Sequence, residues 1–204
     1  MTATDSKPGS RRGRPNDPGR RDRIIDACLD VVAEHGVAGA SHRKVAEAAG
    51  VPLGSMTYHF VGFDELLHEA FDRFTAEFAQ RFETRMAQAG TPDEAREAVI
   101  TIILEDVFID RRTLVLTHEL YTLAAREPAF RDLTSTWMGR SRAALERHFS
   151  AQTSRLLDAA IEGLTIHSAL ATEPLSRDDI VEAVDRIVRP RTPSVPHRGK
   201  GTRL

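Results

Sequence analysis

Apolar side chains recur at three- and four-residue spacing along nearly the whole chain, the period of helices that each bury one stripe. Ile24, Cys28 and Val31, with Ile25, Leu29 and Val32 beside them, set the pattern in a first helix. Asp17 can cap its start, Pro18 suits its first turn, and Gly36 can end it in a left-handed conformation. Ser41 to Ala49 predicts a short second helix with Val45, Ala46 and Ala49 inward. Gly50 and Val51 break it, and Pro52 opens a third helix of about two turns. A long fourth helix, from about Gly62 to Ala89, carries Phe63, Leu67, Ala70, Phe71, Phe74, Phe78 and Phe82 along one drifting stripe.

The pattern continues beyond Gly90. Thr91 and Glu94 are spaced as a capping box, with Pro92 at the first helical position. The fifth helix runs to about Ile109, burying Val99, Ile102, Ile103 and Val107. The sixth, 112–126, halts before Pro128. The seventh covers 128–149 with Phe130, Leu133, Trp137, Ala144 and Leu145 inward, and the eighth covers 152–170. Ser176 caps a ninth, in which Ile180, Val184 and Ile187 repeat at helical spacing. No segment alternates as a strand does, and no repeat of fixed period is present. The expected fold class is all-α, of about nine helices. Residues 1–16 form an arm, 17–61 a three-helix head, 62–189 a helical body and 190–204 a proline-broken tail.

The composition, 41% apolar and 28% charged over 204 residues, belongs to a globular chain with a sizeable core. No apolar run reaches the roughly 18 residues of a membrane span, and Met1 to Asp5 lack the apolar segment of a secretory signal. A cytoplasmic address is expected. Cys28 is the single cysteine, which leaves no internal disulfide and no cysteine-based zinc site, so neither a metal nor a cofactor is expected. The net charge of −2 hides an asymmetry. Residues 1–60 hold nine Lys/Arg against seven Asp/Glu, whereas residues 61–189 hold fifteen against twenty-three. The tail adds four basic residues and no acid. One end of the molecule thus suits a polyanion and the middle does not.

Two short helices joined by a glycine turn and preceded by a longer helix make a helix-turn-helix. Ala46 and Ala49 let the short helices cross closely, Gly50 permits the reversal, and Val51 fills the space beneath it. The third helix must then present an outer side to a major groove about 12 Å wide. The series Ser41, Val45, Ala46, Ala49, Gly50, Val51, Gly54, Met56, His59 and Phe60, followed by Leu66, resembles the N-terminal signature of the TetR family of transcriptional regulators. That resemblance spans Ile24 to Leu66, and the remaining helices are similar to the family's ligand-binding and dimerisation region. Two positions depart from the pattern. Thr57 stands where an aromatic is usual, with Tyr58 after it, and Phe63 replaces a phosphate-contacting lysine.

The resemblance implies that His42, Pro52, Leu53, Gly54, Ser55, Thr57, Tyr58 and His59 face double-stranded DNA, while Ser41, Arg43 and Lys44 hold its backbone. It also sends Arg12 and Arg14 toward a minor groove, although such arms are equally often solubilising tails. His59 suits a packing role beside Phe60 as well as a phosphate. Met56 and Phe60 belong to the core.

The phenylalanine stripe is mostly core, but Phe71, Phe74, Phe78 and Phe108, with His118, Tyr121, Trp137 and Met138, have the composition of a cavity for a small hydrophobic or aromatic effector. His118 and Glu119 find no further ligand at a spacing that compels a metal site. Leu156, Ala159, Ala160, Gly163, Leu164 and His167, with Ile180, Val184 and Ile187, suit either a core or a four-helix homodimer seam; the resemblance favours the seam.

A helical enzyme is disfavoured, because the sequence shows no phosphate-cradling glycine loop, nucleophile elbow or cysteine–histidine pair. An architectural DNA coater would need positive charge over most of its surface, against the acidic balance of 61–189. The function expected is a homodimeric regulator, a repressor leaving a near-palindromic operator when an effector binds. The alternative is a DNA-binding regulator without small-molecule control.

Overall fold

A helix begins where a side chain can accept the backbone N–H groups that its first turn leaves unpaired. The structure, a computed structural model describing residues 17–106 and 110–189, uses that device repeatedly. Its helices are α1 (Arg20–Gly39), α2 (His42–Ala48), α3 (Gly54–His59), α4 (Phe63–Gln88), α5 (Pro92–Thr101), α6 (Arg111–Arg126), α7 (Pro128–Leu145), α8 (Ala151–Leu170) and α9 (Arg177–Val188). No strand occurs among the described residues. Ser41 caps α2 by accepting from Lys44 N at 3.4 Å, and Asp110 caps α6 by accepting from Thr113 N at 2.7 Å. Ser150 accepts from Thr153 N at 3.1 Å to start α8. Thr91 with Glu94, and Ser176 with Asp179, form complete capping boxes at α5 and α9.

Several ends differ from the periodicity, each for a local reason. Pro18 lies outside α1, because Asp17 accepts from Gly19 N and pairs with Arg23 at 2.6 Å, deferring the helix to Arg20. The Arg23 hydrogen bond also holds the Asp17 carboxyl below its usual range. Gly36 breaks α1 as expected, at φ +69°, yet the chain resumes a short turn to Gly39. Regular α5 stops at Thr101 and widens into a π turn over Ile102–Asp106. The expected continuation through Val107 and Phe108 lies outside the described residues, as do Arg12, Arg14 and the tail. Beyond Leu145 the α7 ladder closes, with His148 N and Phe149 N both donating to the Leu145 carbonyl.

Two apolar cores result. The first gathers Ile24, Cys28 and Val32 of α1, Val45 and Ala46 of α2, Met56 and Phe60, the first half of α4, Leu116 and Leu120 of α6, and Phe130 and Leu133 of α7. It therefore runs across the boundary expected at residue 61 without a gap in packing. Burial there pushes the Cys28 thiol up to about 12. The second gathers Met86, Val99, Ile100, Ile103, Leu145, Leu157, Ile161, Ile180 and Val184. Arg96 forks onto Asp185, its Nη2 donating to Oδ2 at 2.9 Å, which draws that carboxyl below its ordinary range. Arg177 with Glu97 and Arg189 with Asp93 further tie α9 to α5. No helix of the described residues is long and apolar enough to cross a membrane.

Phe71, fully buried at the centre of the first core, tests whether head and body unfold together. Phe71→Ala is expected to cost about 3–5 kcal/mol in denaturant titration, with helicity and Trp137 fluorescence lost in one transition. Two separated transitions would show that the core is not shared.

Candidate nucleic-acid interface and inner cavity

The turn between α2 and α3 is fixed by backbone bonds. Gly50, at φ +63°, donates to the Glu47 carbonyl at 3.1 Å, and Val51 N reaches the Ala46 carbonyl at 2.9 Å. This is a Schellman motif, which needs a residue at positive φ and so favours glycine. Ser55 N then donates to the Pro52 carbonyl at 2.8 Å, so the first turn begins at Pro52 although the α-helix proper begins at Gly54. Met56 and Phe60 anchor α3 in the first core, and the Arg21 guanidinium lies 4.9 Å over the Phe60 ring.

What remains outside is a short, open ridge. Pro52, Gly54 and Thr57 are exposed, as are Leu53 at 55% and Tyr58 at 82%, while Ser55 and His59 are half-buried. A Cβ at Gly54 would meet nothing within 4 Å. Tyr58 stands edge-on to His59, their centres 4.9 Å apart. Thr57 Oγ1 donates to its own helix at the Gly54 carbonyl, 3.2 Å away. Val61, 97% exposed at the corner after α3, is a further member of this surface that periodicity does not single out. Its signal is negative: an apolar residue at a position that packs on nothing.

Among the α2 candidates the structure separates roles. Ser41 is the cap described above and is exposed, and Arg43 is exposed beside α3. Lys44 donates Nζ to the Gly39 carbonyl at 2.8 Å and so ties α2 to the end of α1. His42, a candidate for DNA contact, is placed differently from its neighbours. Its ring turns edge-on to Phe63 at 5.4 Å, with Nε2 buried and unpartnered.

Helix α6 joins this head to the interior. Arg112 donates to Asp30 of α1 at 2.8 Å, and Glu119 accepts the Val37 N–H at 3.1 Å. The Val37 donor is free for capture because Gly36 has just broken α1, so the turn that follows starts with unpaired N–H groups. A Cβ at Gly36 would come within 2.8 Å of the Glu119 carboxylate. Thr117 and Tyr121, roughly opposite Glu119 on a helix of 3.6 residues per turn, face inward instead.

There they line a cavity of about 60 Å³ with Phe78, Phe82, Trp137, Met138, Ser141, Asp158, Ile161, Glu162 and Thr165. Tyr121 and Trp137 lie nearly parallel, 11° apart with centres at 6.2 Å, and Phe78 sits 5.7 Å from Trp137. Burial, with the facing Glu162 carboxylate, pushes the Tyr121 hydroxyl up and keeps it protonated. Burial likewise raises the Asp158 carboxyl, opposed by Arg142 at 3.2 Å.

Four cavity candidates, Phe78, Tyr121, Trp137 and Met138, are thus brought together. Three are not. Phe71 is wholly buried against Phe130, centres 6.1 Å apart, and Phe74 buttresses Trp137 from behind. His118 directs Nδ1 to the Leu114 carbonyl at 2.7 Å, a turn back on its own helix. The carboxylates Asp158 and Glu162 were missed, although two acids four apart on the inner side of an otherwise apolar α8 are a legible signal.

On α8 the residues Leu156, Ala159 and His167 share an exposed face with Leu170, and a Cβ at Gly163 would meet nothing within 4 Å. Ala160 is half-buried, and Leu164 packs partly on the second core. Ile180 and Val184 correct the expected seam: they are 1% and 0% exposed inside this chain's own core, with Ile187 packed against it. The apolar stripe of α9 is spent on α5 and α8, and what it turns outward is mainly charge.

Comparison with known proteins agrees with this architecture. Residues 24–70 match the family model for bacterial regulatory proteins of the tetR family, and residues 97–190 match the tetracyclin repressor-like C-terminal domain. A Streptomyces coelicolor A3(2) protein described as a transcriptional regulator superposes with a TM-score of 0.80 at 55% identity, covering 84% of this chain and 99% of that one. The multidrug binding protein EbrR, in its complex with ethidium, gives 0.72 at 34% identity over 85% of this chain and 100% of that one. The HTH-type transcriptional regulator BetI 1 of Chromohalobacter salexigens is 26% identical over 170 residues, 79% of this chain and 84% of that protein.

The grip of α6 on α1 can be measured directly. In Glu119→Ala the Val37 amide is expected to exchange with solvent at least about tenfold faster, the loss of a hydrogen bond to a charged acceptor. Unchanged protection would mean that another group holds it.

Proposed function

This chain belongs to the TetR family of bacterial transcriptional regulators, and from that premise we propose a homodimeric repressor that leaves its operator when a small aromatic molecule enters the inner cavity. DNA binding comes with the family; the repressor role, the dimer and the effector are the proposal. One observation carries it: α6 walls the cavity with Thr117 and Tyr121 and holds the head through Glu119 and Arg112. Membership of a family of regulators is what sets this apart from an enzyme. A cytoplasmic location follows from work on chromosomal DNA.

Paired heads on half-sites about one helical turn, roughly 35 Å, apart would read a near-palindromic operator. Tyr58, Thr57, Leu53 and Ser55 are the side chains placed to meet bases, with Arg43 and Ser41 on phosphates. The exposed α8 face supports pairing of two copies, since Leu156, Ala159 and Gly163 allow close approach of a partner helix.

The cavity supports an effector that works by expansion. At about 60 Å³ it is far smaller than the roughly 300–1,000 Å³ of drug-sized sites. A ligand larger than a few atoms must push α6, α7 or α8 apart. Displacing α6 strains its two holds on α1, and the shared first core carries the movement to α2 and α3. Near-complete release takes an effector that favours the released state by about 5.5 kcal/mol. The multidrug binding of EbrR, a protein of like fold, supports a small-molecule site here.

Arg43→Ala is expected to weaken binding to all DNA sequences and to lower the salt slope by about one, read by anisotropy titrations over a salt series; an unchanged slope removes it from the phosphate contacts. Leu156→Arg is expected to give monomers in sedimentation and to lose operator affinity, and a surviving dimer would place the seam elsewhere.

A further inference from the structure

The cavity walls are apolar apart from a few groups, and two of these stand out, a buried hydroxyl without a hydrogen-bond partner and a carboxylate without a cationic one. Thr117 Oγ1 is the first. The residue is 2% exposed and its hydroxyl has no hydrogen-bond partner, although it lines the cavity. Buried helical threonines usually return the hydroxyl to a carbonyl of the preceding turn. Thr165, across the same cavity, does so at the Ile161 carbonyl at 2.7 Å. Thr117 therefore leaves its hydroxyl unanswered within the cavity wall.

Glu162 is the second. Of the two α8 carboxylates in the cavity, Asp158 is answered by Arg142. Glu162, half-buried, is paired with no cationic side chain among the described residues and has the Tyr121 hydroxyl as its hydrogen-bond partner. An anion set among Phe82, Tyr121, Trp137 and Ile161 is most stable when a cation arrives with the ligand. The aromatic walls favour the same visitor, because a positive charge over a tryptophan or tyrosine face is attracted by the ring quadrupole.

We propose that the cavity selects a flat aromatic ligand carrying a positively charged N–H group, its N–H bonds shared between the Glu162 carboxylate and the Thr117 hydroxyl and its ring against Trp137 and Tyr121. This rests on the cavity being the effector site. An amidinium matches the geometry best, since two parallel N–H groups meet a carboxylate in a fork.

Trp137 is the only tryptophan of the chain, so its fluorescence reports on the cavity alone. Three probes of one ring size separate the contributions: naphthamidine with charge and N–H, neutral naphthamide with N–H only, and naphthyltrimethylammonium with charge only. Naphthamidine is expected to bind at least about tenfold more tightly than naphthamide, the scale of a hydrogen bond to a charged group. Glu162→Gln should erase that preference while leaving naphthamide binding, which confirms the fold, as it was. Thr117→Val should weaken naphthamidine and spare naphthyltrimethylammonium. Naphthamide binding as tightly as naphthamidine, or a preference surviving Glu162→Gln, overturns this assignment and leaves the cavity as an effector site. Silence of Trp137 toward all three probes overturns both.

Discussion

Helix α6 has two neighbours that it cannot satisfy independently. On one side Leu116 and Leu120 are packed into the core with α1, and Arg112 and Glu119 add a polar hold at each end of that contact. On the other side Thr117 and Tyr121 form cavity wall. A packed interior is close to crystalline in density and transmits displacement instead of absorbing it. On the function proposed above, a change in cavity volume is shared with the helix that carries the head, and the break at Gly36 places a backbone donor within reach of Glu119.

The rest of the head is rigid by comparison. Val45, Ala46, Met56 and Phe60 are buried in the same core as α1, and the Schellman turn leaves α2 and α3 little freedom. Arg21 with Glu69, and Arg73 with Asp22 and Asp26, also lash α1 to α4. These pairs are partly exposed and each contributes about 1 kcal/mol or less, but they act in parallel with apolar packing. The head is thus packed as a unit. Under the proposed effector control, coupling is reciprocal, and DNA that holds the head would in turn oppose opening of the cavity.

Much of this was legible in the residues. Capping boxes at Thr91 and Ser176, the glycine at position 50 and the apolar stripes located helices to within a few positions, because those signals are local and side chains alone decide them. What stayed hidden depended on which neighbour a stripe meets. Ile180 and Val184 announce a buried face without saying whether another helix of the chain or a second copy covers it. Phe71, Phe74 and Phe78 repeat on one stripe, yet the helix drifts, so only the last reaches the cavity. Glu119 looked like half of an incomplete metal site, and its capture of Val37 spans eighty-two residues of sequence. His42 reads as a basic contact until Phe63, in place of the family's lysine, offers it a ring to pack on.

Cys28 sits at the middle of α1 with no exposed surface, and its thiol is held in the neutral form far above physiological pH. Oxidants and alkylating reagents act on thiolate that they can reach. Cys28 in the folded protein is accordingly shielded from both, and a change in cellular redox state passes this thiol by unless the first core opens. The same shielding leaves a blank background for thiol chemistry: a single cysteine introduced on the α3 ridge or the α8 face would be the one site to take a thiol-directed spectroscopic label.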